Sequence, residues 1–119
     1  MFTLPEKFDG SFLLGKTIET ICFGQYQINI NLSDGIWLQI EGRYEHLSAD
    51  GRLFQKGEGF PLSETTLIRL LDSSILKCRT IDGRDLLLEM SNGDQLSIMG
   101  DNGMYEAYRI FNGEKEIVV

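Results

Sequence analysis

The sequence predicts a mainly β (α+β) fold in which two similar antiparallel β-meander halves form a sandwich or roll, with one short helix between them. Apolar residues alternate with polar ones along many short segments, and this period is typical of strands with one buried face. The 119 residues include 13 glycines. Several of them follow aspartate or asparagine, which favours tight turns over long helices.

One hairpin occurs twice in the chain. Residues 28–42 align with residues 86–100 without a gap after a shift of 58 positions. The alternating apolar residues coincide, and Ser33-Asp34-Gly35 falls on Ser91-Asn92-Gly93. The two segments should therefore form the same hairpin.

This alignment predicts a single domain over residues 1–119, with an internal pseudo-repeat that covers about residues 12–47 and about residues 70–108. Each half would contain a helical piece followed by an antiparallel meander. The predicted strands lie at residues 16–23, 26–32, 36–41, 43–47, 52–55, 75–81, 84–90, 95–99, 105–111 and 114–119.

The hairpin register follows from the requirement that cross-strand partners share a face. A three-residue loop over 33–35 pairs Ile30 with Leu38 and Ile28 with Ile40, so that every apolar residue faces the same side. A two-residue loop would mix the faces. Three-residue hairpin loops usually end in a left-handed residue, so the glycine that ends each loop should have a positive φ.

The short helix is predicted at about residues 63–72. Ser63 is a plausible N-cap, and Leu67, Leu70 and Leu71 form an apolar stripe. A helix of this length is unstable alone, so it must pack on the sheet.

Residues 10–17 match the phosphate-loop pattern G-x-x-x-x-G-K-[ST]. That motif requires a buried strand before it and a helix after it. Pro5 interrupts the short segment that precedes it, and the residues after Lys16 are β-branched and aromatic. We therefore predict a short helical turn over Ser11 to Leu14, ended by Gly15, and no nucleotide binding.

Composition excludes several functional classes. The net charge of -7 argues against a nucleic-acid binder, which needs basic clusters. We expect no signal peptide, and no apolar run in this sequence is long enough to span a bilayer. We expect an acidic cytoplasmic protein without a membrane partner, in which Cys22 and Cys78 are reduced and largely buried.

Motifs that carry chemistry are absent. His46 is the single histidine, and neither a C-x-x-C nor an H-x-x-x-H spacing is present to bind a metal ion. We predict no catalytic residue, no metal ion and no cofactor. The sequence therefore favours a non-enzymatic protein-binding module.

Two surfaces are candidates for binding. The derived register places Trp37, an amphipathic anchor, on the outer face with Gln39 and Glu41. An acidic segment between Asp82 and Glu106 could steer a basic protein partner. The candidate binding residues on the two surfaces are Trp37, Gln39, Glu41, Asp94, Asp101, Tyr105 and Glu106.

Two alternatives remain open. One is a small-ligand or enzymatic domain with a pocket between the halves, where Tyr26, Tyr44, His46, Tyr105 and Tyr108 would gather. The other is a structural homodimer built on an unpaired sheet edge.

The opening segment LPEKFDGSFLLGKTIETICFGQYQINI and the closing YEAYRI and FNGEKEIVV resemble small bacterial proteins of an uncharacterised family. The resemblance covers most of the chain and carries no catalytic motif. In size and charge such proteins are similar to immunity proteins that neutralise toxins. The resemblance thus implies an immunity-type inhibitor of a basic partner.

Overall fold

The computed structural model describes residues 4–5, 8–57, 65–100 and 107–119. These residues form two antiparallel sheets of five strands each, which confirms the predicted mainly β fold. The strands are β1 (Ile18–Phe23), β2 (Ile28–Leu32), β3 (Trp37–Ile40), β4 (Tyr44–Leu47), β5 (Leu53–Gly57), β6 (Ile75–Ile81), β7 (Asp85–Met90), β8 (Gln95–Ile98), β9 (Tyr108–Phe111) and β10 (Glu116–Val118).

The two repeated hairpins adopt the predicted register. In the first, Ile28 lies opposite Ile40, and in the second Leu86 lies opposite Ile98. The loop glycines have φ values of 75° and 94°, as a three-residue loop requires. The first loop also holds Asp34 at φ 63°, so it contains two left-handed residues rather than one.

Each sheet contains strands from both halves of the sequence. The first sheet has the order β1-β2-β3-β9-β10, and the second has the order β5-β4-β8-β7-β6. After β3 the chain passes to the second sheet, and after β8 it passes to the first. Tyr44 on β4 lies opposite Ile98, and Tyr108 on β9 lies opposite Ile40. Because Ile40 and Ile98 are equivalent in the repeat, β4 and β9 hold equivalent places.

A short pairing joins the sheets where β1 and β6 begin. Thr17 forms a β-bridge with Ser74, and their hydroxyls lie 3.0 Å apart. The backbone N–H of Ile18 donates to the carbonyl of Ser73, and that of Ile75 donates to the carbonyl of Lys16. These reciprocal bonds close one end of the sandwich.

The core lies between the inner faces of the sheets. Its members are alternate strand residues from both halves, as the period-two pattern predicts. They include Ile28, Ile30, Leu38, Ile40, Tyr44, Leu86, Leu88, Leu96, Ile98, Tyr108 and Ile110.

The helical element is shorter than predicted. Within the described residues it is a single 3-10 turn, Leu67–Leu70, and the predicted cap Ser63 lies outside the described residues. In a 3-10 turn, positions i and i+3 share a face. Leu67 and Leu70 are therefore buried together, whereas Leu71 is exposed.

The phosphate-loop match has the predicted conformation. A 3-10 turn spans Gly10–Leu13, and strand β1 follows where a helix would be required. The Lys16 ammonium donates to the Asp34 carboxylate at 2.6 Å. Among the described residues, no helix has the length and apolar character needed to cross a membrane.

Candidate functional site

The outer face of the first sheet carries the aromatic and amide side chains that the sequence singled out. Trp37 lies opposite Asn31 on one side and Phe111 on the other. The Trp37 and Phe111 rings stack, with centroids 5.4 Å apart and an interplanar angle of 17°. We call this surface the aromatic face; its members are Thr20, Asn29, Asn31, Trp37, Gln39, Arg109 and Phe111.

Hydrogen bonds and ion pairs hold Gln39 and Arg109 of the aromatic face in place. The Gln39 amide donates to the Glu41 carboxylate at 2.6 Å. Arg109 lies 3.4 Å from the same carboxylate and 2.8 Å from that of Glu116. Of the predicted residues, Trp37 and Gln39 thus lie on the aromatic face, and Glu41 lies at its edge.

The acidic patch does not form as predicted. Asp101, Tyr105 and Glu106 lie outside the described residues. Asp94 is only 4% exposed, so the prediction that it is a surface charge is wrong. The physical reason is its place in the repeat, because Asp94 occupies the inward-facing position that Ile36 occupies in the first half.

The outer face of the second sheet carries both signs of charge. Glu45 lies opposite Lys56, and Glu89 lies opposite Lys77. The described carboxylates of this sheet therefore do not make a surface of one sign.

Asp94 belongs to a buried polar cluster that sequence reasoning missed. His46 is fully buried, and its Nε2 lies 2.9 Å from Asp94 Oδ2. Its Nδ1 lies 2.6 Å from the Thr66 hydroxyl. The imidazole therefore bridges a carboxylate and a hydroxyl that are 28 positions apart in the sequence (94 − 66).

Surrounding groups fix both ends of this bridge. Asn92 Nδ2 donates to Asp94 Oδ2 at 3.3 Å, and Arg69 Nε lies 3.4 Å from the same oxygen. At the other end, Gln55 Oε1 accepts from the Thr66 backbone N–H at 2.8 Å. We call these residues the His46 cluster; its members are His46, Gln55, Thr66, Arg69, Asn92 and Asp94.

An aromatic ring and a guanidinium cover the cluster. The centroid of the Phe54 ring lies 5.1 Å from that of the His46 ring. The Arg69 guanidinium lies 4.6 Å from the centroid of the Phe54 ring and forms a cation–π contact with it. Phe54 and Arg69 are themselves exposed. The cluster therefore lies just beneath the surface.

The first half of the repeat shows what the fold itself requires at these positions. His46 lies opposite Leu96, as Ile110 lies opposite Leu38. Asp94 likewise corresponds to Ile36 after the shift of 58 positions. Ile36 and Ile110 are both buried. A carboxylate at a core position of the alignment was the one sequence signal that pointed to the cluster.

Of the tyrosines predicted to gather with His46, only Tyr44 reaches the His46 cluster among the described residues, and Tyr105 lies outside them. Tyr26 is 67% exposed. Tyr44 donates its hydroxyl to Gln55 at 3.1 Å, and Tyr108 donates to the backbone carbonyl of Arg84. Burial raises the pKa of both Tyr44 and Tyr108 above the ordinary value, so both phenols are neutral at pH 7.

The two cysteines are free, as expected, but they differ in exposure. Cys22 is exposed on edge strand β1, so the prediction that it is largely buried is wrong. An edge strand has a neighbour on one side only, which leaves its outward side chains open. Cys78 is half-buried, and burial raises the pKa of its thiol to about 11.

No group of three or more potential ligands for a metal ion occurs in the part of the chain that the structure describes. Comparisons with protein-family models, with curated proteins and with solved structures found no match to this chain. Functional inference therefore depends on the geometry of the aromatic face and the His46 cluster.

Proposed function

We propose that this chain is a protein-binding module that docks a basic partner protein on the aromatic face, in the manner of an immunity-type inhibitor. The observation that carries the proposal is the stacked pair of Trp37 and Phe111 on the outer face of a sheet. Tryptophan is enriched among the residues that dominate binding energy at protein interfaces.

The composition of the aromatic face fits a protein partner. Half-exposed rings at its centre supply apolar area, and the partly exposed Asn31 and Gln39 supply polar groups around them. Interfaces typically combine an apolar centre with a polar rim. The ring stack and the hydrogen bond from Gln39 to Glu41 are already formed, so little conformational entropy of these side chains would be lost on binding.

Charge favours a basic partner. The net charge of -7 would attract a basic protein from a distance and raise the association rate. Glu41 and Glu116 lie at the edge of the aromatic face, where their ion pairs with Arg109 could be exchanged for the partner's cations. The resemblance to small acidic bacterial proteins supports the same class of partner.

A capture experiment with matched variants tests the proposal. Wild type, Trp37→Ala and Leu76→Ala are immobilised in parallel and used to capture protein from host lysate. Leu76 is the control because it is 58% exposed and lies on β6 of the other sheet. A basic protein should be retained by wild type and by Leu76→Ala, and lost by Trp37→Ala.

Calorimetry and rate measurements on the purified partner give the decisive numbers. Removal of an anchoring tryptophan should weaken binding by about 2 kcal/mol, or about 30-fold in Kd. The association rate should fall as salt rises. Equal affinity for wild type and Trp37→Ala would refute the proposal. Sedimentation that shows a dimer dissociated by Trp37→Ala would instead identify a second copy of the chain as the partner.

A further inference from the structure

We propose that Thr66 is a nucleophile, activated by His46 as a general base and positioned by Asp94, and that it accepts the acyl group of a small carboxylic ester. The inference concerns the second sheet and does not rest on the binding proposal. A hydroxyl, an imidazole and a carboxylate within hydrogen-bond reach in that order are the arrangement that activates a hydroxyl for acyl transfer.

The donors and acceptors of the His46 cluster fix the tautomer. An ionised Asp94 carboxylate only accepts hydrogen bonds, so His46 must carry its proton on Nε2, 2.9 Å from Asp94 Oδ2. In the neutral ring Nδ1 is then an acceptor. The Thr66 hydroxyl lies 2.6 Å from Nδ1 and 3.3 Å from Gln55 Oε1. The imidazole nitrogen is therefore the nearer acceptor for the Thr66 proton.

Asp94 acts as a positioning residue through this geometry. Its Oδ2 also accepts a hydrogen bond from Asn92 Nδ2 at 3.3 Å and lies 3.4 Å from Arg69 Nε. Its own backbone N–H donates to Asn92 Oδ1 at 2.9 Å. The carboxylate is thus held from several sides and can keep the imidazole in one orientation while the base gains and loses a proton.

The fold itself does not require polar residues at these positions. The equivalent positions of the first half hold Ile36 and Ile110, which are buried without any polar partner to satisfy. Replacement of a buried ion pair by well-packed apolar residues of similar volume is often neutral or stabilising. Departures from local packing rules concentrate at functional sites.

The surroundings of Thr66 indicate the class of substrate. Thr66 is half-buried while His46 behind it is fully buried, so a substrate can approach the hydroxyl from the solvent side. The exposed Phe54 ring, whose centroid lies 5.1 Å from that of the His46 ring, offers apolar surface next to the cluster. A short apolar acyl chain suits such a surface.

The proposed reaction has two balanced steps. Thr66 Oγ1 attacks the ester carbonyl and gives its proton to His46 Nδ1. The ester C–O bond then breaks, and the leaving alkoxide takes that proton as an alcohol. Water next attacks the acyl-Thr66 ester with His46 again taking the proton, and Thr66 Oγ1 leaves and recovers it. The products are one alcohol and one carboxylic acid.

The probe for the test is p-nitrophenyl butyrate, followed by stopped-flow absorbance and by mass-spectrometric mapping of the acylated peptide. Wild type should release a burst of p-nitrophenolate close to one equivalent and carry butyrate on Thr66. Thr66→Val and His46→Gln should abolish the burst. Thr66→Ser should retain the burst, which would show that Thr66→Val loses it because the hydroxyl is missing and not because the protein is misfolded. Thr80→Val, at an exposed position of β6, is the matched control and should behave as wild type.

Asp94→Asn separates positioning from structure. It should slow the burst by a factor on the order of 10²–10⁴ and alter its pH profile, while circular dichroism shows a folded protein. Butyrate found on lysine residues alone, no butyrate at all, or a burst unchanged by Thr66→Val would each overturn the proposal.

Discussion

The repeat provides an internal control for the energetics of the His46 cluster. Replacing His46 and Asp94 together by isoleucine would recreate the pair Ile110 and Ile36 of the first half. Either substitution alone leaves a buried polar partner behind: Asp94 without its imidazole, or the His46 Nε2–H without an acceptor. Breaking a buried pair in this way costs about 3–5 kcal/mol.

The double substitution removes both polar groups and should cost far less. Replacement of a buried ionic pair by apolar residues of similar volume is often neutral, or stabilising by about 1–4 kcal/mol. The Thr66 hydroxyl keeps an acceptor in Gln55 Oε1, 3.3 Å away, and Arg69 is half-exposed, so neither is stranded. We therefore expect a coupling energy of at least about 3 kcal/mol between the two substitutions.

Denaturant unfolding of the four proteins at constant pH and salt measures this coupling, provided that the m-value stays constant. If the double variant loses as much stability as the sum of the single variants, the cluster is a structural necessity and the argument from the repeat fails. The double variant also serves as a folded control for the acylation experiment, because it should show no burst.

Three further predictions follow from individual side chains. The added methyl group of Gly57→Ala would overlap the Tyr44 ring and should lower the free energy of unfolding by about 1–3 kcal/mol or more. The added methyl group of Gly35→Ala would meet no atom, but alanine is strained at φ 75°, and the loss should be about 1 kcal/mol. Equal losses on denaturant unfolding would contradict this ranking. Burial raises the pKa of Tyr108 above 10.0, so the neutral phenol contributes fully to the free energy of unfolding below that pH, and this contribution is lost as the pH rises through the folded pKa. Tyr108→Phe should therefore be less stable than wild type at neutral pH but lose less stability on alkaline titration. Parallel curves of unfolding free energy against pH for the two proteins would contradict this prediction. Lys16→Ala should leave calorimetry with magnesium–ATP flat, as in wild type, and cost less than about 1 kcal/mol; ATP binding abolished by the substitution would revive the phosphate-loop hypothesis.

Local pattern was sufficient to predict the hairpins. The register of Ile28 with Ile40 follows from two rules: apolar residues share a face, and a three-residue loop ends in glycine. Both rules involve residues that are close in the sequence. The prediction that residues 10–17 are not a phosphate loop used another local signal, the β-branched and aromatic residues after Lys16, which form β1.

The pairing of distant strands could not be predicted in the same way. The sequence of β4 does not determine that it pairs with β8 rather than with β3, because edge-to-edge pairing depends on the packing of the whole chain. The placement of His46 beside Asp94 and Thr66 depends on that exchange. A carboxylate at position 94 was visible in the repeat as a departure from isoleucine, and it was interpreted as a surface charge.

The exchange of β4 and β9 has a consequence for how the chain must fold. Each sheet takes three adjacent strands from one half of the sequence and two from the other, so the first sheet is incomplete until β9 and β10 have been synthesised. A ribosome-bound first half would expose the edges of β3 and β4 without their later partners. Long-range pairings of this kind slow folding and leave unpaired edges open to association. Chain synthesis, rather than local strand formation, should therefore set the moment at which this protein becomes resistant to proteolysis.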